Sequence, residues 1–317
     1  MTTAVGRPAT DARPLPRKSR RRWRRRGVVL AFMSPWVIGF AVFYLFPMLA
    51  TLYYSFTSYD SFSSPHWIGF TNYRFMFTKD PQFWEALRNT IWMILVLVPL
   101  QVVFAIGCAT VLNRVKRGVG VYRTIFFLPT MVPVVAAVLG FVFLLNPNGP
   151  IDHVAGLLHL PQPVWFQDPK WSKPGLVLLG LWSVGNTMII FLAALLDVPR
   201  QLYEAADIEG ANAWQRFRYV TLPLISPVIF FAVVTGVIYG FQYFTEGYIA
   251  AGGQGSLGNP QGSLLFYPVW LYEQGFTAFH LGYASAMSWM LFLATLLCTL
   301  ILIRTSRRWV HYQGALR

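Results

Sequence analysis

Long apolar runs alternate with short polar segments along the whole chain. Six runs contain no Lys, Arg, Asp or Glu: 27–56, 89–112, 124–146, 176–196, 224–245 and 281–303. Each run reaches or exceeds the roughly 20 residues that carry a helix across the hydrocarbon core of a bilayer. The pattern therefore predicts an all-α polytopic membrane protein with six transmembrane helices.

The composition supports this class and excludes others. Of the 317 residues, 55% are hydrophobic and 12% are charged, whereas a soluble domain carries about 25% charged residues. The mean hydropathy is +0.47. A disordered chain, a disulfide-built secreted module and an ordinary soluble enzyme are all excluded.

The net charge of +14 is placed asymmetrically. Residues 1–26 hold ten basic residues and one acidic residue, and segments 113–123 and 304–317 hold four basic residues each. The segments that alternate with them are neutral or acidic: 57–88, 147–175 and 246–280. Because Lys and Arg favour the cytoplasmic side, both termini are predicted inside, and these three neutral or acidic segments are predicted to be outer loops.

The basic tail 1–26 is expected to be disordered in the cytoplasm and to lie on anionic membrane lipid. No fold for recognising nucleic acid accompanies its arginines, so no nucleic-acid partner is predicted.

Several kinds of chemistry are missing from the sequence. Cys108 and Cys298 lie inside apolar runs, no metal-ligand spacing is present, and no lysine stands in a P-loop pattern. We therefore expect no metal, no cofactor and no enzyme activity.

An ion-coupled secondary carrier is the alternative, but it usually keeps ionisable residues within its spans, and this chain has none there. These absences favour a transport subunit whose energy source is a partner protein.

The inner segment 197–223 breaks the pattern of basic inner loops. Pro199 suits a first helical turn, Asp197 is available to cap it, and Gly210 is a stop signal. A second short helix is predicted to end at Pro223. The pattern alone is equally typical of an amphipathic hairpin that only anchors the loop at the membrane surface.

The spacing within this segment resembles the EAA loop of ABC importer permeases. It reads Glu204-Ala205-Ala206, three residues, Gly210, nine residues, Val220, one residue, then Leu222-Pro223. Only Val220 departs from the family pattern, where Ile is usual. Weaker similarities to maltose-type and glycerol-phosphate-type carbohydrate permeases, such as Arg123-Thr-Ile-Phe-Phe-Leu-Pro129, extend the resemblance over roughly 28–312.

The resemblance implies a type I ABC importer permease fold, with a transmembrane domain at 27–312 and a short C-terminal tail at 313–317. It implies a multi-pass subunit of the bacterial plasma membrane that imports a sugar or sugar derivative by alternating access. The implied partners are a second homologous permease, two cytoplasmic ATP-binding subunits and an extracytoplasmic solute-binding protein. The residues implied to couple to the ATPase are Glu204, Ala205, Ala206, Gly210, Leu222 and Pro223.

A candidate solute path lies in the fifth run. Gly236, Tyr239, Gly240 and Tyr243 fall on one helix face, with Gln242 beside them. The two glycines alone are typical of helix packing, whereas tyrosines suit stacking and hydrogen bonding to sugars.

Asn186 in the fourth run either binds the solute or forms a hydrogen bond between helices. The glycine-rich stretch 252–260 is either a turn-rich linker or a surface for the binding protein.

Overall fold

The structure, a computed structural model, describes residues 29, 31–115, 117–147, 149–253, 255 and 257–311. The predicted tails at 1–26 and 313–317 lie outside the described residues. The chain divides into two compact units, Met1–Tyr53 and Tyr54–Arg317.

The described part of the first unit is helical. It belongs to helix α1, Ala31–Ser55, which contains a π-helical stretch at Ala41–Leu45. The Trp36 and Phe40 rings stack with centroids 5.7 Å apart, and Phe40 and Tyr44 stack at 6.0 Å. These positions repeat every four residues, so the aromatic rings form one stripe along the helix.

The second unit contains thirteen further helices in its described residues. They are α2 (Thr71–Thr78), α3 (Pro81–Arg114), α4 (Val119–Phe127), α5 (Val134–Leu144), α6 (Pro150–Leu157), α7 (Pro169–Trp182), α8 (Gly185–Leu196), α9 (Arg200–Ile208), α10 (Ala213–Leu224), α11 (Ser226–Phe241), α12 (Thr245–Ala250), α13 (Tyr267–Tyr272) and α14 (Leu281–Ser306). Strands β1 (Thr57–Ser58) and β2 (His66–Trp67) pair antiparallel, with Thr57 opposite Trp67.

Three helices, α1, α3 and α14, are long and apolar enough to cross a membrane. Three bent pairs also meet this test, α4 with α5, α7 with α8, and α10 with α11, so up to six spans are present by length and composition. The apolar runs 124–146, 176–196 and 224–245 were each expected to form one helix. For the first two runs that expectation is wrong, because the structure bends them by 98° and 47°. The third bend, of 66°, lies at the start of run 224–245, at Ile225, and Ser226–Phe241 then forms a single helix.

Proline explains two of the three bends. Val132 precedes Pro133 and is extended, with φ −75° and ψ 127°, because a following proline disfavours the helical conformation. Helix α11 begins at Ser226 with Pro227 in its first turn, where a missing N–H costs nothing. The bend between α7 and α8 has no proline at it. Gly185, the first residue of α8, is the glycine next to this bend.

Helix α3 begins before its apolar run. Asp80 caps it by accepting a hydrogen bond from the Phe83 N–H at 3.0 Å, and Pro81 occupies the first turn. Glu85 and Arg88, which the sequence assigned to a loop, therefore lie on the helix.

The largest apolar core cluster draws on the segment predicted as an outer loop. Leu264 and Phe266 are completely buried, and Tyr267 is 2% exposed. These residues pack with side chains of α3, α7 and α14. The stretch after the glycine-rich turn is therefore part of the folded core rather than a linker.

Candidate functional site

The EAA loop, residues 197–223, forms two helices joined at a glycine, as the sequence predicted. Gly210 has φ +74°, a left-handed conformation that disfavours side chains with a Cβ. The details of both ends differ from prediction. Pro199 precedes the first helix, and no side chain caps it.

The second helix continues through Pro223 to Leu224, although the sequence predicted an end at the proline. The segment Phe217–Thr221 is π-helical. This wider turn changes the hydrogen-bond register before the proline, so the helix tolerates a residue without an N–H.

Side chains tie the two helices of the EAA loop together. The hydroxyls of Tyr203 and Thr221 lie 2.9 Å apart, and Arg216 forms an ion pair with Asp207. Helix α10 opens with a capping box in which Asn212 and Gln215 exchange hydrogen bonds. These contacts hold the two helices of the hairpin against each other.

The surface of the EAA loop is open. Glu204 pairs only with Arg200 among the described residues, at 3.2 Å, and both side chains are largely exposed. Such an i,i+4 pair contributes about 0.3–0.5 kcal/mol, so Glu204 is easily released to another cation. Ile208 is 88% exposed and Trp214 68% exposed. The hairpin thus presents apolar and charged groups side by side.

A second feature is a cavity of about 470 Å³ between α3, α8, α11 and α12, here called the interhelical cavity. Ligand pockets usually measure about 300–1,000 Å³. All six residues that the sequence proposed for a solute path line this cavity: Asn186, Gly236, Tyr239, Gly240, Gln242 and Tyr243. Four polar residues that the sequence analysis did not single out also line it: Gln101, Thr187, Thr235 and Glu246.

The polar side chains of the cavity fall into two groups. Gln101 donates to the Gly180 carbonyl at 2.9 Å, and Thr235 to the Phe231 carbonyl at 2.8 Å. Other side chains make no hydrogen bond to any other residue that the structure describes: Asn186, Thr187, Tyr239, Gln242, Tyr243 and Glu246. These groups are available to a bound molecule.

The two glycines of the candidate path serve packing. A Cβ added at Gly236 would lie 2.9 Å from Val98 Cγ1, and one added at Gly240 would lie 2.5 Å from Ile94 Cγ1. Both distances are well inside ordinary carbon contacts of about 3.5–4.0 Å. The glycines therefore let α11 approach α3. The hydroxyl groups of the candidate path come from Tyr239 and Tyr243.

Residues 101–308 match the family model described as the binding-protein-dependent transport system inner membrane component. The chain belongs to this family. A probable ABC transporter permease, YesP of Bacillus subtilis (strain 168), is 41% identical over 286 residues, covering 90% of this chain and 92% of YesP. The chain is thus a permease subunit of an ABC importer in the inner membrane, and the ion-coupled carrier is not supported.

Two further similarities concern substrate and fold. The lactose transport system permease LacF of Rhizobium radiobacter is 32% identical over 267 residues, covering 83% of this chain and 88% of LacF. A crystal structure of a bacterial ABC transporter for the acidic polysaccharide alginate matches with a TM-score of 0.79 at 24% identity, covering 92% of this chain and 99% of that chain. That structure confirms the permease fold.

Among the four polar residues of this permease's cavity that the sequence analysis missed, Glu246 is the one with a carboxyl group. It was counted with an outer loop, but it lies in the first turn of α12 and lines the cavity. Burial raises the pKa of its carboxyl above the ordinary value. In the sequence, Tyr239, Tyr243 and Glu246 are spaced as on one helix face, but α11 ends at Phe241 and α12 begins at Thr245, so no continuous helix carries all three.

A second cavity of about 550 Å³ lies near the starts of α3 and α14. Several of its polar groups form hydrogen bonds within the permease. Asp80 accepts hydrogen bonds from Trp270 Nε1 at 2.8 Å and from the Tyr283 hydroxyl at 2.5 Å, and Asn72 donates to the Thr57 carbonyl. This arrangement indicates a structural site. The described residues contain no cluster of His, Cys, Asp or Glu that could hold a metal.

Proposed function

We propose that this permease imports a sugar or sugar derivative and that the solute passes through the interhelical cavity. The observation that carries the proposal is the ring of unpaired hydroxyl, amide and carboxylate groups around a cavity of about 470 Å³. A polyhydroxylated solute can satisfy such groups by donating and accepting hydrogen bonds. The similarity to LacF supports the same substrate class.

Tyr243 offers a direct test because its side chain is 8% exposed and lines the cavity. Removing one neutral hydrogen bond costs about 0.5–1.5 kcal/mol, or up to about tenfold in affinity. We expect Tyr243→Phe to raise the sugar concentration needed for half-maximal uptake by about that factor, and Tyr243→Ala to lower uptake further. The measurement is uptake of the sugar carried by the cognate binding protein into vesicles holding the complete transporter.

Tyr122→Phe is the matched control, since Tyr122 lies on α4 and does not line the cavity. It should leave uptake unchanged. If Tyr243→Phe and Tyr243→Ala both transport with wild-type affinity and rate, the cavity is not the solute site.

We further propose that the EAA loop transmits the motion of two ATP-binding subunits to this permease and a second, homologous permease. Tyr203–Thr221 and Asp207–Arg216 tie the hairpin into one piece, as a lever requires. The exposed Glu204, beside exposed apolar groups, suits a partner cleft with a basic residue.

Two substitutions test the lever. Glu204→Lys reverses the charge offered to the partner, and Gly210→Pro is incompatible with φ +74° because proline fixes φ near about −65°. Both variants should insert in the membrane and assemble, yet lose the stimulation of ATP hydrolysis by solute-loaded binding protein and lose uptake.

The controls are Glu273→Lys, the same substitution in the segment 246–280, and Gly210→Ala, which adds only about 1–2 kcal/mol of backbone strain. Glu273→Lys should behave as wild type, and Gly210→Ala should retain partial coupling. Normal uptake by Glu204→Lys and Gly210→Pro would show that the loop is not the lever.

A further inference from the structure

The interhelical cavity carries one acidic side chain. Among its described lining residues, Glu246 is the only carboxylic acid, and none is Lys, Arg or His. The other polar groups are amides, hydroxyls and phenols. A solute in the cavity therefore meets one carboxyl group and no cationic side chain among the described lining residues.

The start of α12 is held in place by close packing. Gly247, the next residue, lies so near Phe266 that an added Cβ would collide with its ring. The Tyr243 ring meets the same phenylalanine edge-on, with centroids 5.3 Å apart, and Phe266 is completely buried. Because both neighbours are fixed on the core, Glu246 cannot easily leave the cavity wall.

Glu246 has no counter-ion among the residues that the structure describes. Its carboxyl group hydrogen-bonds to its own backbone and to no other described residue, and burial raises its pKa above the ordinary value. An ionised carboxylate accepts hydrogen bonds that are roughly twice as strong as neutral ones. Sugar hydroxyl groups can supply those hydrogen bonds, whereas a carboxylate, sulfonate or phosphate on the solute cannot donate them.

We propose that Glu246 selects for uncharged polyhydroxylated solutes and rejects anionic ones. This inference rests on the proposed sugar site and adds the charge class of the solute. Two like charges about 8 Å apart at an effective dielectric constant of about 20 repel strongly enough to lower affinity at least tenfold. The neutral amides and phenols around the cavity then bind the remaining hydroxyls.

The test measures binding to the purified complete transporter in lipid nanodiscs without the binding protein, so that only the permease site discriminates. The probes are two matched pairs, cellobiose with cellobiouronate and mannobiose with dimannuronate. Their affinities are measured for wild type, Glu246→Gln and Glu246→Lys. Glu273→Gln is the control, because this outer glutamate does not line the cavity.

We consider the pair whose neutral sugar binds more tightly. In wild type and in Glu273→Gln, the affinity for that neutral sugar should exceed the affinity for its uronate at least tenfold. Glu246→Gln should reduce this ratio of affinities to about twofold, and Glu246→Lys should bind the uronate more tightly than the neutral sugar. A ratio that is the same in wild type and Glu246→Gln would overturn the inference, while leaving the sugar site standing if Tyr243→Ala still weakens binding. If Tyr243→Ala changes neither binding nor uptake of any sugar, the proposed site itself fails and the inference with it.

Discussion

Replacing Gly240 by alanine tests whether the approach of α11 to α3 depends on the missing side chain. The new Cβ would lie 2.5 Å from Cγ1 and 3.5 Å from Cβ of Ile94. Ile94 is β-branched and sits within a helix, where one χ1 rotamer is strongly preferred. The clash is therefore relieved by moving a helix rather than by turning a side chain.

Two opposing contributions determine how much Gly240→Ala changes the stability of the permease. Alanine is favoured over glycine inside a helix by about 0.5–1 kcal/mol, whereas an extra methyl group in a packed core costs about 1–3 kcal/mol. The net expectation is a loss of about 1 kcal/mol in the stability of the permease. Uptake should fall as well, because α11 forms one wall of the interhelical cavity.

The assay is thermal unfolding of the purified transporter in detergent, together with sugar uptake. Gly140→Ala is the control, since a Cβ at Gly140 meets nothing within 4 Å, and it should raise Tm slightly. In an Ile94→Ala background, Gly240→Ala should cost almost nothing. The reasoning is refuted if Gly240→Ala raises Tm as Gly140→Ala does, or if its cost is the same in both backgrounds.

Two other outcomes follow from buried carboxylates. Asp80→Ala leaves Trp270 Nε1 and the Tyr283 hydroxyl without their acceptor, at about 1–3 kcal/mol each, so Tm should fall by several degrees, and an unchanged Tm would contradict this. Burial raises the pKa of Glu246, so its charge is lost as pH falls through that raised value. Rejection of uronates should therefore weaken as the pH is lowered towards the ordinary range of a glutamate carboxyl, and a ratio of affinities that stays constant with pH would contradict it.

The positions of the spans could be predicted from the sequence, but their shapes could not. Charge-free runs locate each span because Lys, Arg, Asp and Glu are costly in lipid. The bends depend on finer features. Pro133 and Pro227 mark two of them, but the break before Gly185 follows no proline, and the glycine there lets α8 approach the Phe126 carbonyl closely.

The candidate site was predicted in outline. Helical spacing placed Tyr239 and Tyr243 together, and the structure puts both on the interhelical cavity. Glu246 was missed because its charge assigned it to a loop, although three-residue spacing linked it to Tyr243. The fit of Gly240 against Ile94 involves residues far apart in sequence, so no local pattern could show which partner the glycine faces.

The bend at Ile225 determines how the proposed motion of the EAA loop would reach the interhelical cavity. Helix α10 passes into α11 through this single residue, which is 1% exposed. The sixteen residues of α11 measure roughly 24 Å at 1.5 Å per residue. A rotation of about 10° around Ile225 would carry Phe241 about 4 Å, which exceeds the width of a water molecule. If the loop is the lever that we propose, a small rotation there would therefore change the width of the cavity beside Tyr239 and Tyr243.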